Sequence, residues 1–488
     1  MSGVFRVRAL RVLALLLAIL APSMQRRVAA QGQPPPRSAP QTPRIAAPSG
    51  VQTGLFTGGV PERTATTQPI ALSIGEAIDR ALTHNLGALV SEQSVEQARG
   101  ARWLALSELL PNVSGRLSET RQKINLAVFG FPLPPGVPSL VGPLNVFDAR
   151  LFVSQSVLDL TAINDARAAA HDAAAARHSY KSARDLVVLV AANLYLEGLA
   201  SSARAESARA QQETAQALYN QAVDLKQSGM VAGIDVLRAQ VQLSTEQQRA
   251  TATANDFEKA KLALARVVGL PVGQPFALSD EIPYAPVPEM TLEQALDRAY
   301  SSRPDYKAAL ERVASAEAAH ASAVGSALPS LRLTADYGVI GLTPGDALGT
   351  FSIVGALNVP IFQGGRAHGR IVSAEAELRN RRAEVEDLKA GIYYEVRGAF
   401  LDLEATREQL DVARKGRELA AAELTAARDR FAAGVGNNIE VTQAQQSVAL
   451  ANELYIDGLY GYNVSKAILA RSLGVAEEAV RQYLGGSR

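Results

Sequence analysis

The chain repeats itself, and that repeat constrains its fold more than any other feature. Leu72-Ser73-Ile74-Gly75-Glu76-Ala77-Ile78-Asp79-Arg80-Ala81 returns as Met290-Thr291-Leu292-Glu293-Gln294-Ala295-Leu296-Asp297-Arg298-Ala299, 218 positions later. Leu110-Pro111 and Leu328-Pro329 keep that offset, whereas Gly229 and Gly434, and then Ala265-Arg266 and Ala470-Arg471, are 205 apart. One unit of roughly 200 residues therefore occurs twice, with the length change confined to one intervening loop.

Each copy carries the same order of patterns. A first helix is expected over about Ser73 to Leu110 and Thr291 to Leu328, stopped by a proline that cannot continue the hydrogen-bond ladder. Strict alternation follows. Leu331, Leu333, Ala335, Tyr337 and Val339 are spaced by two, as are Phe351 and Ile353, then Leu357 and Val359, which reads as two strands joined by the loop Ile340 to Thr350. In the first copy Phe147, Ala149, Leu151 and Val153 alternate with Asp148, Arg150 and Ser154, and the partner strand starts near Asn112. The longer loop there contains Phe129-Gly130-Phe131-Pro132-Leu133-Pro134-Pro135.

After each hairpin comes a helix of about 65 residues, Leu160 to Lys226 and Gly365 to Phe431, roughly 100 Å at 1.5 Å per residue. Leu378, Val385 and Ile392 recur every seven residues, Leu388 and Val396 fill neighbouring positions, and Leu403, Leu410, Leu424 and Phe431 resume the spacing, a coiled-coil pattern. Turns with Gly229 and Gly233, or Gly434 and Gly436, lead into return helices that end at Gly269 and Gly474. A first and a return helix end to end match one long helix in length, which predicts stacked antiparallel pairs. Two strands per copy make four per chain, too few to close a barrel in lipid. Two chains would give eight strands and three would give twelve, so a cyclic oligomer is expected.

Arg6, Arg8 and Arg11 precede the apolar run Val12 to Ala21, and Val28-Ala29-Ala30 offers small residues for a signal peptidase. The domain reading is a signal peptide over 1–30, a disordered Pro-rich leader over 31–70, repeat one over 71–275 with strands at about 112–128 and 145–157, and a linker over 276–288. Repeat two spans 289–476, with strands at about 330–340 and 350–360, and 477–488 form a tail. Beyond the signal no stretch is read as apolar enough for a membrane-spanning helix, which leaves a periplasmic, secreted or β-inserted protein.

Composition removes other classes. A net charge of +1 from 49 basic and 48 acidic residues argues against nucleic acid. The absence of cysteine excludes disulfides, thiolate metal sites and cysteine nucleophiles. His84, His171, His178, His320 and His368 form no metal-binding pair motif, and acidic pairs such as Glu384 with Glu386 or Glu477 with Glu478 sit on charge-rich helical faces. No catalytic constellation, metal site or cofactor is expected, so the chain is read as no enzyme.

These openings, the Leu-Pro stops, the junction Val359-Pro360-Ile361-Phe362-Gln363-Gly364-Gly365-Arg366 and the turns Ser228-Gly229-Met230-Val231-Ala232 and Ala433-Gly434-Val435-Gly436 resemble outer-membrane efflux proteins of the TolC family, over about Leu72 to Val475. The resemblance implies a mainly α fold with a small β part, in which a homotrimer forms a twelve-stranded transmembrane β-barrel above a long antiparallel α-helical coiled-coil barrel. It implies a passive duct in the outer membrane of a Gram-negative-type bacterium with its helices in the periplasm. Its implied partners are a periplasmic adaptor (membrane fusion protein), an inner-membrane pump of the resistance-nodulation-division or ABC type, and outer-membrane lipid. Docking would use Ser228, Gly229, Met230, Val231, Gly434, Val435 and Gly436, while Pro360, Gly364 and Gly365 would form the strand-to-helix junction. The family's acidic periplasmic gate maps to Glu440 and Gln443, where the second position here is neutral, and Asp235 is the equivalent of Glu440 in the first copy. Acids in a helix's first turn also complement its dipole, so the two roles can coexist. The rival reading is a periplasmic adaptor or structural coiled coil bridging the membranes, which would carry one helical hairpin rather than two.

Overall fold

The computed structural model describes residues 53–62, 64–130, 138–286, 290–433, 435–436 and 438–483. The signal peptide, most of the leader, the loop at 131–137, the end of the linker at 287–289, Gly434 and the last five residues of the tail lie outside the described residues. After a short helix α1 (Thr53–Phe56), repeat one runs β1 (Ile70–Leu72), α2 (Ile74–His84), α3 (Leu86–Ser107), β2 (Asn112–Asn125), β3 (Leu140–Leu158), α4 (Leu160–Gln227) and α5 (Gly233–Val267). Strand β4 (Phe276–Leu278) precedes repeat two: α6 (Leu292–Ser302), α7 (Pro304–Gly325), β5 (Ser330–Gly341), β6 (Leu348–Asn358), α8 (Arg366–Ala432) and α9 (Asn438–Ser472). Helix α10 (Ala476–Tyr483) ends the described chain.

The long helices exist, at 68 and 67 residues, but each expected first helix is two helices. The break falls at the same repeat position in both copies, Asn85 and Arg303, with different chemistry. Asn85 leaves helical geometry and its Oδ1 accepts from Gly87 N at 2.8 Å, starting α3 with a side-chain cap. Arg303 precedes Pro304, whose ring drives the residue before it out of the helical region and then serves as the first residue of α7. Arg303 is almost fully buried there, bonded to both Asp305 oxygens at 3.0 and 2.5 Å and to Glu395 at 2.6 Å.

The break in repeat one explains why the leader is not disordered throughout. Asn85 Nδ2 donates to Phe56 O at 2.7 Å, Val60 N to His84 O at 2.8 Å and Leu86 N to Gly58 O at 3.0 Å, so the segment around 56–60 satisfies the backbone groups that the break exposes. The linker is likewise structured where it begins. β4 pairs in parallel with β1, Ile70 to Phe276 through Leu72 to Leu278, although the two are about 200 residues apart in sequence. Nor is 477–488 a free tail where it is described. α10 buries Ala479, Val480 and Tyr483, and Glu477 holds Arg184 of α4 at 2.6 and 3.1 Å.

These pieces enclose a belt around the middle of the long helices. Its core joins Ile78 and Ala81 of α2, Val187, Val188, Tyr195 and Leu196 of α4, Leu264 and Val267 of α5, and Ala467 and Ala470 of α9. One stretch of α4 is apolar and long enough to cross a bilayer, contrary to the expectation that none is, but two-thirds of it is buried within the chain. Its hydrophobicity belongs to this belt. Two polar groups of the belt share one network: the Tyr195 hydroxyl lies 2.8 Å from Leu72 O and from Asp280 Oδ2, and Asp280 Oδ2 also accepts from Ile74 N at 2.7 Å. Gly474 permits the tight fit of repeat two, because a Cβ there would come within 2.6 Å of the Arg303 backbone.

Above the belt α4 packs against α3 and α7. Below it α4 pairs with α5 and α8 with α9, the antiparallel hairpins that the heptads predict. Leu378, Val385, Ile392, Val396 and Leu410 are buried, while Leu388, Leu403, Leu424 and Phe431 are partly buried on the same seam. Two hairpins in one chain, sharing one sheet, are not the single hairpin of the adaptor reading.

Lys466 gives a direct measure of belt integrity. It is fully buried, with Nζ donating to Ala285 O at 3.1 Å and Asn463 Oδ1 at 3.0 Å, and loss of hydration pushes its pKa down from 10.5 to about 8. The unfolded chain then binds the proton more tightly than the folded one between these values, so stability rises with pH from about 8 to 10.5. Lys466→Met is expected to remove that rise in thermal melts across this pH range.

Candidate functional site

The four strands β2, β3, β5 and β6 form one sheet in that order, antiparallel at every step. Register decides its chemistry. Leu117 faces Ala149, Leu151 faces Tyr337, Ala335 faces Ile353, Tyr337 faces Phe351 and Leu331 faces Leu357, so between the register shifts at Gln122/Ile124 and Ser156/Leu158 the odd-numbered residues of all four strands share one face. That face is apolar and solvent-exposed in the isolated chain at Val113, Leu117, Leu151, Tyr337, Phe351, Ile353 and Leu357. The even-numbered face carries Arg116, Ser118, Asp148, Arg150, Thr334, Asp336 and Ser352. Arg150 is bracketed there by Asp148 at 2.8 Å and Asp336 at 3.3 Å, and Arg116 stacks over the Phe152 ring at 5.1 Å.

A sheet with an uncovered apolar face and a charged opposite face suits a wall between lipid and water. Its outer strands β2 and β6 each leave one edge unpaired within the chain. Because the four strands alternate in direction, these two edges run antiparallel to each other, and the β6 edge of one copy is complementary to the β2 edge of another.

At the end of β6 the chain turns into α8 through Pro360, Gly364 and Gly365. Gly364 and Gly365 adopt φ of +57° and +82°, a left-handed pair that side-chain-bearing residues resist, and Gly365 caps α8. This junction and the predicted gate are therefore separated by the whole of α8, about 100 Å at 1.5 Å per residue over its 67 residues.

At the far end each hairpin turns tightly. Gly229 N donates to Lys226 O at 3.0 Å and Met230 N to Leu225 O at 2.9 Å, a helix-terminating double bond, and Val435 N and Gly436 N both donate to Arg430 O at 3.0 Å. Ser228, Met230 and Val435 are exposed, and Val231 is partly so. The two hairpins meet near these turns, where Leu218 of α4 packs with Ala427, Phe431, Val441 and Ala444 of the second hairpin.

The predicted acids stand in the first turns of the return helices: Asp235 in α5, and Glu440 in α9 with exposed Gln443 one turn on. Each acid meets a basic partner that the sequence reading did not single out. Asp235 lies 3.3 Å from Arg238, a spacing of three that sequence inspection could have found. Glu440 lies 3.3 Å from Arg430, which reaches across the turn from α8 and also approaches Val435 O at 3.4 Å. No periodicity signals that pair. The Arg150 triad was equally unmarked, since it joins two strands nearly 190 residues apart.

The histidines serve elsewhere. His171 Nδ1 is 2.8 Å from Glu311 of α7, while burial and nearby Lys181 lower the pKa of His178. Among the described residues no group of three or more His, Cys, Asp or Glu side chains is arranged to hold a metal ion.

Comparison with known proteins gives the same picture. A family model described as "Outer membrane efflux protein" matches residues 77–270 and 295–475. The chain is 24% identical over 405 residues to the toluene efflux pump outer membrane protein TtgF of Pseudomonas putida, covering 82% of each, and 25% identical over 245 residues to the outer membrane efflux protein BepC of Brucella suis, covering 49% of this chain and 52% of that one. Its fold is similar to the Campylobacter jejuni CmeC outer membrane channel (TM-score 0.70, 18% identity, 91% of this chain and 96% of that one). It is also similar to the open state of the Neisseria gonorrhoeae MtrE channel (TM-score 0.72, 17% identity, 90% and 98%).

The two faces of the sheet can be tested with neighbouring residues. Ile353→Lys puts a charge on the apolar face and is expected to destabilise the membrane-inserted form by about 2–4 kcal/mol near the midplane. Ser352→Lys, on the opposite face, should be tolerated. Resistance of the lipid-inserted protein to urea extraction reads the difference.

Proposed function

The chain belongs to the outer membrane efflux protein family, and from that premise we propose that three copies close a twelve-stranded barrel in the outer membrane and extend it as one helical tunnel towards the inner membrane. The protein is a bacterial outer-membrane efflux channel and not an enzyme. The observation that carries the assembled form is the four-stranded sheet with two complementary open edges and an uncovered apolar face. Even strand numbers per copy let every junction in the ring be antiparallel, and closure removes every unpaired backbone edge from lipid.

Residues 1–30 act in this reading as an export signal, 71–275 and 289–476 as the two repeats, and the two inter-helix turns as the docking tip. Met230 and Val435, both well exposed, together with Ser228, Gly229, Val231, Gly434 and Gly436, offer small and apolar contacts to the ends of a periplasmic adaptor's helices. An inner-membrane pump working through that adaptor would supply the energy and choose the cargo. The duct itself remains passive.

The ends of α5 and α9 form the gate of this reading. A ring of Glu440 and Asp235 side chains makes the local potential more negative, which repels anions and favours cations, and Arg430 and Arg238 temper that field. With Gln443 neutral, the ring holds fewer charges than two acids per helix would give.

Planar-bilayer recording of the mature protein tests the proposal. A conducting trimer is expected, and a soluble, non-conducting monomer would sink the reading. In the conducting protein Glu440→Ala should lower the cation-to-anion permeability ratio, and Arg430→Ala should raise it. Reversal potentials in a salt gradient read both, and movement in the same direction would remove the pair from the pore's narrow end.

A further inference from the structure

Two apolar groups lie uncovered at opposite margins of the chain. Ile361 and Phe362, directly after β6, are 95% and 89% exposed. Trp103 and Leu104, near the C-terminal end of α3, and Leu110, between α3 and β2, are 68%, 72% and 53% exposed. Isolated exposed apolar side chains are ordinary, but bulky ones gathered beside each of the two open sheet edges call for a partner.

They cannot cover each other within one chain. Register runs from Asn112 to Ser154, Ser154 to Thr334 and Thr334 to Val354, which puts three strand spacings, about 14 Å, between the margins. Between copies the geometry reverses. An antiparallel junction of β6 with the next copy's β2 brings the C-terminal end of one strand to the N-terminal end of the other. Residues 359–362 then emerge beside 103–111 of the neighbour. The helices agree with this placement. α3 packs on α4, and α8 packs on α7 and α9, so the order around one copy is α3, α4, α7, α8, and the outer flanks of α3 and α8 meet where the strand edges meet. Pro360 stiffens the backbone ahead of the apolar pair, and Gly364 and Gly365 absorb the reversal behind it.

We propose that Ile361 and Phe362 of each copy seat against Trp103, Leu104 and Leu110 of the next, forming an apolar clasp that closes the ring just below the barrel. This rests on the ring reading of the preceding section. A second copy fits these groups better than lipid does, because the two patches sit at complementary margins and at the same level, where ring closure must bring them together.

The chain contains no cysteine and a single tryptophan, so both halves of the clasp can be probed cleanly. The double variants Leu110→Cys with Phe362→Cys and Leu104→Cys with Phe362→Cys are treated in membranes with a short bis-maleimide, beside each single variant. Covalent dimers and trimers on a denaturing gel from a double variant, absent from the singles, are the expected result. Native mass spectrometry of the same samples reports assembly independently. Trimers that give no cross-link in either pair would overturn the clasp and leave the ring intact, whereas absence of an oligomer would overturn the ring reading itself. Trp103 fluorescence in the unsubstituted trimer supplies a check that needs no variant: shielding from brominated lipid supports the clasp, and strong quenching would assign its place to lipid.

Discussion

An open strand edge has nowhere to hydrogen-bond inside a bilayer, and much of the architecture answers that constraint. Water can satisfy a free amide at the rim of a soluble sheet, but hydrocarbon cannot. In the proposed ring, a chain whose described residues contribute β2, β3, β5 and β6 to the sheet takes its closure from other copies. The duplicated unit suits this need, since two strands from each repeat give an even number and leave the outer edges antiparallel. The same requirement accounts for a sheet whose apolar face is bare in the single chain, because that face is built for lipid rather than for a core.

The helical part obeys different forces. Its seams are thin, made of a few large residues such as Ile392, Val396 and Leu410 among many alanines, which lets long helices lie close without the bulk of a globular core. The belt carries the deepest burial, and three of its polar groups have defined partners there: Asp280 with Tyr195 and the start of α2, Arg303 with Asp305 and Glu395, Lys466 with Asn463 and Ala285. Such groups are costly when unpaired, so they help fix the linker against each repeat, through Asp280 on one side and Ala285 on the other. At the tip the balance returns to exposed charge pairs, Asp235 with Arg238 and Glu440 with Arg430, individually weak.

Sequence legibility followed the range of the interaction. Alternation from Leu331 to Val339 and the heptads from Leu378 to Phe431 are local, and both elements appear where those periods place them. The break at Asn85 was less legible, because an asparagine inside a helical pattern reads as a tolerated exception until the backbone of 56–60 is seen to receive it. The break at Arg303 was legible in the adjacent Pro304, a local signal, whereas the burial of Arg303 was not, its partner Glu395 lying 92 residues away. The parallel pairing of Ile70–Leu72 with Phe276–Leu278 joins two three-residue segments too short to carry a period. Glu440 could be aligned from Gly434, but its partner Arg430 lies across a turn whose geometry no spacing predicts.

By itself the sequence determined a duplicated unit, with two strands of alternating face and one long helix in each copy, and raised the expectation of a cyclic oligomer. Periodicity encodes these because a side chain's face depends only on its neighbours along the chain. Tertiary structure decided the rest: the order β2-β3-β5-β6, the belt that absorbs the apolar stretch of α4, the arginines opposite the tip acids and the bulky groups left beside both open edges. Those outcomes depend on which distant segments meet, and contact between distant segments leaves no period to read.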